Sequence, residues 1–389
     1  MKPFSFLFIC ILFAASCKKT EEISDARQVS QYSIEQFYGN TRFSGGFFSP
    51  DETKLLVNSD ESGIFNLYEI NIADGIKKPI TSSTSESFYA VDYVPGTDLL
   101  IYSAHKGGNE IDHLYLLDST GQSKDLTPAE QEKASFFKWS QDKKSIFYQS
   151  NKRDPKYFDV YKMPVGNWTP TLVYENKDGL DVGDISFDEN FIVVSKPITS
   201  SENELHLINK QSGERKEISQ SDQKGSYSSS GFSKDNKYLY YITDAGKEFA
   251  YLVQYDIQTG ERKTLYEANW DVMFSYLSEN EKFRVIAINE DGKNKIIVQE
   301  AATGTAIDFP QIPDGDVQGI NISNSEKLMR LSVGTSKAPN NIYVYNIETK
   351  ELKKLTESQN KEINGEDLVA AEVVRFKSFD GLEIPAIYY

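Results

Sequence analysis

The strongest constraint in this sequence is a short motif that occurs seven times. Its plainest copy is Phe48-Ser-Pro-Asp-Glu-Thr-Lys54, in which an apolar residue precedes a small polar turn and an apolar run follows. The residue after the apolar one serves as a marker, and the seven markers are Ser49, Val94, Ser140, Ser186, Ser233, Ser278 and Ser323. Neighbouring markers lie 45 to 47 residues apart. Such a constant spacing over so long a span indicates a repeat architecture.

Each repeat is predicted to form four short antiparallel strands, because runs rich in Tyr, Val, Ile and Leu alternate with Gly, Asp, Asn and Ser. In the fifth repeat the predicted strands are Tyr227–Phe232, Tyr238–Thr243, Tyr251–Ile257 and Arg262–Tyr266. Four strands in about 45 residues is the size of a propeller blade. The sequence therefore predicts an all-β fold, a seven-bladed β-propeller with four-stranded blades over residues 41–358. Every blade is complete in contiguous sequence, so blades one and seven are expected to meet through side chains and not through a shared sheet.

The N-terminus has the pattern of a secretory signal. Lys2 precedes an apolar run, Phe4–Ala15, and small residues lead to Cys17. The cysteine resembles that of a bacterial lipobox, so residues 1–16 are predicted to be a lipoprotein signal peptide and Cys17 the lipid attachment site. The alternative is an ordinary signal peptide with an incidental cysteine. We expect an exported bacterial lipoprotein, anchored on the periplasmic side or the outer-membrane surface, with residues 17–40 as a flexible tether.

Charge and cysteine content exclude several classes of function. The formal net charge of −16 disfavours nucleic acid as a partner, since nucleic-acid binding needs basic patches. The two cysteines, Cys10 and Cys17, both lie in or next to the leader, so the folded part is expected to have no disulfide and no thiol chemistry. The expected partners are peptide substrates or a protein, together with a membrane reached through lipid on Cys17.

The composition changes after the last repeat. Residues 359–389 are predicted to be a connector followed by a hairpin, with two strands in Val373–Tyr388 joined by an Asp380-Gly381 turn. This hairpin is out of phase with the repeat, and its second strand is apolar up to Tyr389. We therefore expect it to be the first hairpin of a further domain that this sequence does not continue.

These features together resemble the prolyl oligopeptidase-type (S9) serine peptidases, particularly their bacterial acylaminoacyl-peptidase-like branch. The similarity rests on the Ser-Pro-Asp-type repeats and on Phe376-Lys-Ser-Phe-Asp-Gly-Leu-Glu-Ile-Pro-Ala386 after them. In that family an α/β-hydrolase domain carrying a Ser-Asp-His triad follows the propeller, and the propeller restricts which peptides reach it. The resemblance implies a substrate-gating propeller here.

The sequence departs from the family at the catalytic residues. A nucleophile elbow needs Gly-x-Ser-x-Gly at a strand-to-helix turn, and this pentapeptide does not occur. The run Gly225–Gly231 has the wrong spacing and lies on a predicted inner strand. No catalytic residue is assigned, and the chain alone is expected not to hydrolyse peptides. No metal or cofactor site is assigned either, because His105, His113 and His206 lack metal-ligand spacing and Asn289–Gly292 is better explained as a hairpin turn than as a calcium loop.

Two function classes remain open from the sequence. The first is the gating and binding propeller of a serine peptidase that acts on peptides. The second is a non-enzymatic TolB-like propeller lipoprotein, with WD40-like repeats, that serves as a binding or scaffold module. The residues that discriminate between them are Glu372–Tyr388, because a pure scaffold has no need for a hydrolase-type hairpin.

Overall fold

The computed structural model describes residues 28–220 and 222–389 and shows a seven-bladed β-propeller. The first three blades are formed by β1 (Phe43–Phe48), β2 (Lys54–Ser59), β3 (Asn66–Asn71) and β4 (Lys77–Pro79); β5 (Tyr89–Tyr93), β6 (Leu100–Ala104), β7 (His113–Leu117) and β8 (Ser123–Asp125); and β9 (Ala134–Trp139), β10 (Ser145–Asp154), β11 (Tyr157–Pro164) and β12 (Thr171–Tyr174).

The fourth to seventh blades continue the same antiparallel order. They are formed by β13 (Asp181–Ile185), β14 (Phe191–Pro197), β15 (Asn203–Asn209) and β16 (Arg215–Glu217); β17 (Tyr227–Phe232), β18 (Tyr238–Thr243), β19 (Tyr251–Asp256) and β20 (Arg262–Tyr266); β21 (Val272–Leu277), β22 (Phe283–Glu290) and β23 (Lys293–Glu300); and β24 (Asp316–Ile322), β25 (Leu328–Thr335), β26 (Ala338–Asn346) and β27 (Leu352–Lys354). The predicted fold is confirmed, and the four strands predicted for the fifth repeat differ from these bounds only at Ile257.

Blade six is the exception to the four-stranded pattern. Its sheet contains three regular strands, and the chain at the fourth position forms only an isolated bridge between Gln299 and Ala306. The chain that follows contains Pro310 and Pro313. Proline has no backbone N–H to give to a strand ladder, so the outer edge of this blade does not extend beyond the bridge.

The core lies between the blades. Each neighbouring pair of blades encloses its own apolar cluster, and there is one such cluster for each of the seven interfaces. The cluster between blades seven and one includes Leu55, Ile70, Ile342 and Val344, all nearly or completely buried. Because β1 and β27 belong to separate sheets, the ring closes through side-chain packing, as the sequence predicted.

The predicted tether of residues 17–40 is partly ordered. Residues up to 27, including Cys17 and the predicted signal peptide, lie outside the described residues. The short helix α1 (Ile34–Tyr38) begins at a capping box in which Ser33 and Gln36 exchange hydrogen bonds. Residues 34–38 of the predicted tether thus form one helical turn, because the polar run contains a helix-start signal.

The helix α1 is held by the chain that follows the last blade. Asn360 donates a side-chain hydrogen bond to the Gln36 carbonyl at 2.8 Å, and the Tyr32 hydroxyl donates to Asp367 Oδ2 at 2.6 Å. Ile363 is buried, and a 3-10 turn, η1, spans Gly365–Asp367. The connector predicted from residue 359 onward thus packs against the N-terminal segment.

The predicted C-terminal hairpin is present. β28 (Glu372–Lys377) pairs with β29 (Glu383–Tyr388) through a turn that contains Asp380 and Gly381. Both strands are largely exposed, and the Phe379 side chain is fully exposed. Within the described residues, the helical segments are all far too short to span a bilayer.

Candidate functional site in the central channel

The first strand of each blade lines the centre of the ring. β1 contacts β5 and β13 contacts β17, whereas an outer strand such as β16 is exposed along its length. Every first strand carries a bulge, for example between Val182 and Asp184 in β13. A bulge changes the direction in which a strand presents its side chains. The bulges therefore help to set which residues face the channel.

The antiparallel strands give the propeller two distinct faces. We call the face with the turns between first and second strands the turn face, and the opposite one the hairpin face. The hairpin face carries the connections between second and third strands. Arg375 of β28 binds both carboxylate oxygens of Asp291, in the β22–β23 connection, at 2.8 and 2.7 Å. The C-terminal hairpin therefore lies on the hairpin face.

The repeated Ser-x-Asp motif forms the turns of the turn face. In blade five, Ser233 Oγ donates to Asp235 Oδ1 at 2.6 Å and accepts the Tyr238 N–H at 2.9 Å. The hydrogen bond from Ser233 keeps the pKa of Asp235 below its ordinary value. The same hydroxyl–carboxylate pair recurs in blades one, three and four. The motif is repeated because it satisfies the polar groups of each of these turns.

Hydrogen bonds also join neighbouring turns on this face. Asn236 accepts the N–H of Asp188 from the preceding blade at 3.1 Å. Blades six and seven have Asn280 and Ser325 where blades one, three, four and five have the turn aspartate, and a glutamate from the next blade compensates. Glu326 accepts the Asn280 N–H at 2.8 Å, and Glu52 accepts the Ser325 N–H at 2.6 Å. The last of these bonds connects blade seven to blade one.

An ion pair crosses the channel at its turn-face mouth. Glu279 of blade six binds Lys234 of blade five at 2.9 Å and Lys143 of blade three at 3.0 Å. Burial raises the pKa of Glu279, but the hydrogen bonds and charges of the two lysines outweigh it, so the pKa is lowered overall. We call Lys143, Lys234 and Glu279 the cross-channel ion pair. Since blades three and six lie nearly opposite each other, these side chains obstruct the mouth.

Two carboxylates stand in the channel wall two residues before the markers. Asp92 accepts hydrogen bonds from Trp139 Nε1 at 2.9 Å and from the Tyr93 N–H at 2.8 Å. Burial raises the pKa of Asp92 to about 6, against the lowering effect of these bonds. Asp184 instead accepts from Lys138 Nζ at 2.8 Å and from the Phe232 N–H at 3.1 Å. Their partners lie in adjacent blades, so both carboxylates connect blades around the channel.

A cavity of about 330 Å³ opens behind the cross-channel ion pair. Its walls combine acidic, basic, amide and aromatic side chains, among them Asp184, Lys234, Tyr276, Glu279 and Asn321. Mixed polar and aromatic walls suit a segment of extended peptide, which needs hydrogen-bond partners for its backbone and apolar contacts for its side chains.

Arg330 lies at the channel wall between blades seven and one. Its Nε donates to the Gly46 carbonyl at 3.2 Å. Gly46 has φ +111°, and a Cβ there would come within 2.7 Å of Arg330 Nε. Burial lowers the pKa of Arg330 to about 10, and the nearby Tyr276 opposes this shift. The guanidinium therefore remains charged at neutral pH.

The structure places the other residues considered from the sequence in structural roles. Each histidine pairs with a carboxylate: His105 with Asp112, His113 with Asp125 and His206 with Glu204. The run Gly225–Gly231 leads into and forms part of the inner strand β17, and Asn289–Gly292 forms the β22–β23 turn. Among residues 28–220 and 222–389, no group of three or more metal-binding side chains is found.

The channel residues were not identified from the sequence. Glu279 occupies the second position of a marker turn, and its partner Lys234 occupies the same position in blade five, whereas the other blades have Pro50, Pro95, Gln141, Phe187 or Asn324 there. Lys143, Lys234 and Glu279 are far apart in sequence and come together only when the ring closes. Arg330 is one charged residue in an otherwise ordinary second strand. A signal could have been found only by aligning the seven repeats position by position.

Comparisons with known proteins agree with the geometry. Residues 81–358 match the family model described as the N-terminal β-propeller domain of prolyl oligopeptidase. The chain is 25% identical over 354 residues to dipeptidyl aminopeptidase BIII of Pseudoxanthomonas mexicana, and the match covers 89% of this chain and 51% of that protein. The chain thus spans about half the length of this curated relative.

Solved structures share the fold at low sequence identity. One from a study of two prolyl endopeptidases superposes with a TM-score of 0.69 at 16% identity, covering 90% of this chain and 54% of that one. Prolyl oligopeptidase B from Galerina marginata, without ligand, superposes with a TM-score of 0.68 at 15% identity, covering 91% and 56%.

Proposed function

Because this chain belongs to the prolyl oligopeptidase family, we propose that its propeller selects the peptides that reach the catalytic site of a serine peptidase. The observation that carries the proposal is the cross-channel ion pair, which narrows one mouth of a channel whose other mouth lies on the hairpin face. A folded protein cannot pass such an opening, whereas an extended peptide can pass once the side chains move aside.

The catalytic step is assigned to a hydrolase domain of the kind that follows the propeller in this family. The sequence has no Gly-x-Ser-x-Gly motif, and the curated relative is about twice as long as this chain. The exposed hairpin β28–β29 supports the same proposal. Phe376, Phe379 and Leu382 are at least half exposed, as expected of a surface that another domain covers.

A non-enzymatic binding propeller is the second candidate, favoured by the missing nucleophile motif. It differs from the first in what the hairpin does, because a scaffold has no hydrolase domain to position. For either candidate we also propose attachment to a membrane through lipid on Cys17, which rests on the sequence pattern alone.

The gating proposal is tested by the accessibility of a thiol inside the channel. Asn321→Cys places a thiol on the cavity wall, in a chain whose Cys10 and Cys17 are replaced by serine. We expect Glu279→Ala to increase the rate at which large maleimide reagents modify this thiol several-fold, because both lysines lose the carboxylate that holds them across the mouth. Small maleimides should react at similar rates in both proteins.

Glu290→Ala is the matched control, because Glu290 forms a comparable ion pair with Lys295 in the same blade. It should leave all the modification rates unchanged. Equal rates for Glu279→Ala and the control with large reagents would show that the ion pair does not restrict the channel, and the gating proposal would be abandoned.

A further inference from the structure

Arg330 differs from the other arginines of the described residues because it has no carboxylate partner and its side chain is partly exposed near the channel. Four arginines form ion pairs with carboxylates: Arg42, Arg153, Arg215 and Arg375. Arg262 donates to the Ile218 carbonyl on the outside of blade five. Arg284 is 3% exposed and stacks on the Tyr240 ring at 4.2 Å, and its Nη1 is buried without a hydrogen-bond partner among the described residues.

The guanidinium of Arg330 has unused donors. The described residues provide one hydrogen-bond acceptor for it, the Gly46 carbonyl at Nε. Nη1 and Nη2, which carry four N–H groups between them, have no protein acceptor there. The side chain is only partly buried, so these groups are not sealed in the core.

Glycines on both sides make room for the guanidinium itself. A Cβ at Gly319 would lie 3.3 Å from Arg330 Nη1, and one at Gly46 would collide with Nε. Tyr276, which lines the cavity, donates its hydroxyl to the Ile320 carbonyl at 3.2 Å. The ladder pairs Arg330 with Asn321, another lining residue. Arg330 therefore does not itself line the cavity but lies beside Asn321, which does, and near the inner strands of blades seven and one.

We propose that Arg330 binds a carboxylate of a peptide inside the channel. The planar guanidinium presents parallel N–H groups that match the two oxygens of a carboxylate. The nearby carboxylates, Asp184 and Glu279, are already engaged by Lys138 and by Lys143 and Lys234. Among the described residues, Arg284 of the neighbouring blade also has an unpaired nitrogen, Nη1, but that atom is sealed in the core, whereas the side chain of Arg330 is partly exposed and can receive an anion. The proposal rests on the proposed function, because it assumes that peptides occupy the channel.

Three acetylated peptides of four residues test the proposal by calorimetry on the full chain. The first is tetra-alanine with a free C-terminal carboxylate, the second is its C-terminal amide, and the third is the amide with one alanine replaced by glutamate. We expect the first or the third to bind about tenfold or more tightly than the plain amide, the range expected of a charge-assisted bidentate pair. A preference for the first identifies the peptide C-terminus as the ligand, and a preference for the third identifies an acidic side chain.

Variants then assign the preference to one residue. Arg330→Met should abolish the preference for the carboxylate, and Arg330→Lys should retain part of it, since lysine keeps the charge but not the fork. Arg262→Lys, at an arginine on the outside of blade five, should keep the full preference. The comparison of the three peptides on the unaltered protein needs no variant and stands even if a variant fails to fold.

The outcomes separate this inference from the proposed function. If all three peptides bind equally well, or if Arg330→Met keeps the preference, the carboxylate site is refuted while peptide access to the channel stands. If none of the peptides binds, the carboxylate site is refuted, and the thiol-accessibility experiment then decides separately whether the channel admits molecules at all.

Discussion

Asp92 shows how one side chain connects the channel to the stability of the ring. Its carboxyl group is buried between blades two and three and accepts the indole N–H of Trp139. Burial raises the pKa of Asp92 from an ordinary value of 3.8 to about 6. Between these two pH values the carboxyl group is mostly protonated in the folded protein and mostly ionised in the unfolded chain.

This shift predicts a pH-dependent difference between the protein and Asp92→Asn. The retained proton stabilises the folded state fully below about pH 3.8, and this contribution is lost as the pH rises through about 6. Asparagine carries no charge at any of these values and can still accept from Trp139. We therefore expect Asp92→Asn to be more stable than the unaltered protein at pH 8, by on the order of 1–3 kcal/mol, and about equally stable at pH 4.

Urea unfolding of both proteins at pH 4, 6 and 8 measures this difference directly. Comparing the two proteins at each pH removes the contribution of the other carboxylates, such as Asp51 and Asp235, whose pKa values are lowered. A stability difference that stays constant from pH 4 to pH 8 would show that Asp92 does not titrate in this range.

Individual turn residues were predictable from the sequence, whereas channel residues were not. Ser233 and Asp235 belong to a Ser-x-Asp pattern that recurs at a nearly constant interval, because in each such turn the serine and the aspartate hydrogen-bond each other. Asp92 lies next to the second copy of the motif, Tyr93-Val-Pro-Gly96, which has diverged from the Ser-x-Asp pattern. Its partner Trp139 lies in the next blade. An interaction between repeats leaves no periodic signal when only one pair of blades uses it.

Among the elements, the C-terminal segment divides into two parts with different roles. The connector up to Asp367 packs on the N-terminal segment, since Asn360 bonds Gln36 of α1, Asp367 bonds Tyr32 just before it and Ile363 is buried, and so it belongs to the folded propeller. The hairpin β28–β29 is largely exposed and touches the propeller near Asp291 and Gly292. These contacts place the end of the packed segment near Leu368, beyond residue 358, where the predicted propeller domain and the matched family model both end.

Two truncations test this boundary. A chain ending at Leu368 loses the hairpin but keeps the connector, so its melting temperature should stay within a degree or two of the full chain, because exposed strands contribute little. A chain ending at Ser358 also loses the contacts with α1 and the burial of Ile363, and it should melt several degrees lower. Differential scanning calorimetry of the three proteins provides the comparison.

A pronounced loss of melting temperature on removing the hairpin alone would contradict this division. It would show that the Arg375–Asp291 pair and the contact of Ile387 with Gly292 make the hairpin part of the propeller. Charge reversal by Arg375→Glu is the matched control, since it removes the ion pair but keeps the hairpin.

The blade pattern was predictable because each blade folds from contiguous sequence with its own turn signals. Blade six shows the limit of that reasoning. Gly304 marks the expected turn, and its N–H bonds the Glu300 carbonyl at 2.8 Å. The strand that should follow is reduced to one bridge at Ala306, and two prolines lie downstream of it. The repeat pattern alone did not reveal this, because it contains no measure of how these prolines affect pairing at an outer edge.

At the scale of the whole molecule, the ring is closed by three kinds of contact between blades seven and one. The apolar cluster around Ile342 and Val344 provides burial, Glu52 hydrogen-bonds to Ser325, and Arg330 hydrogen-bonds to Gly46. Outside the ring, α1 and the connector join the two ends of the chain. Because no strand is shared between sheets, each of the seven blades contributes its own first strand to the channel wall.

The central claim is that this propeller serves a serine peptidase. It is tested most directly by labelling membranes of the cells that produce the protein with a fluorophosphonate probe for serine hydrolases, followed by immunoblotting with an antibody against the propeller. We predict that the antibody recognises a labelled band of a protein longer than these 389 residues (44.1 kDa). The added length should be about 250 residues, the upper range for a domain. An unlabelled band at the size of this chain would contradict the claim and leave the binding propeller as its function.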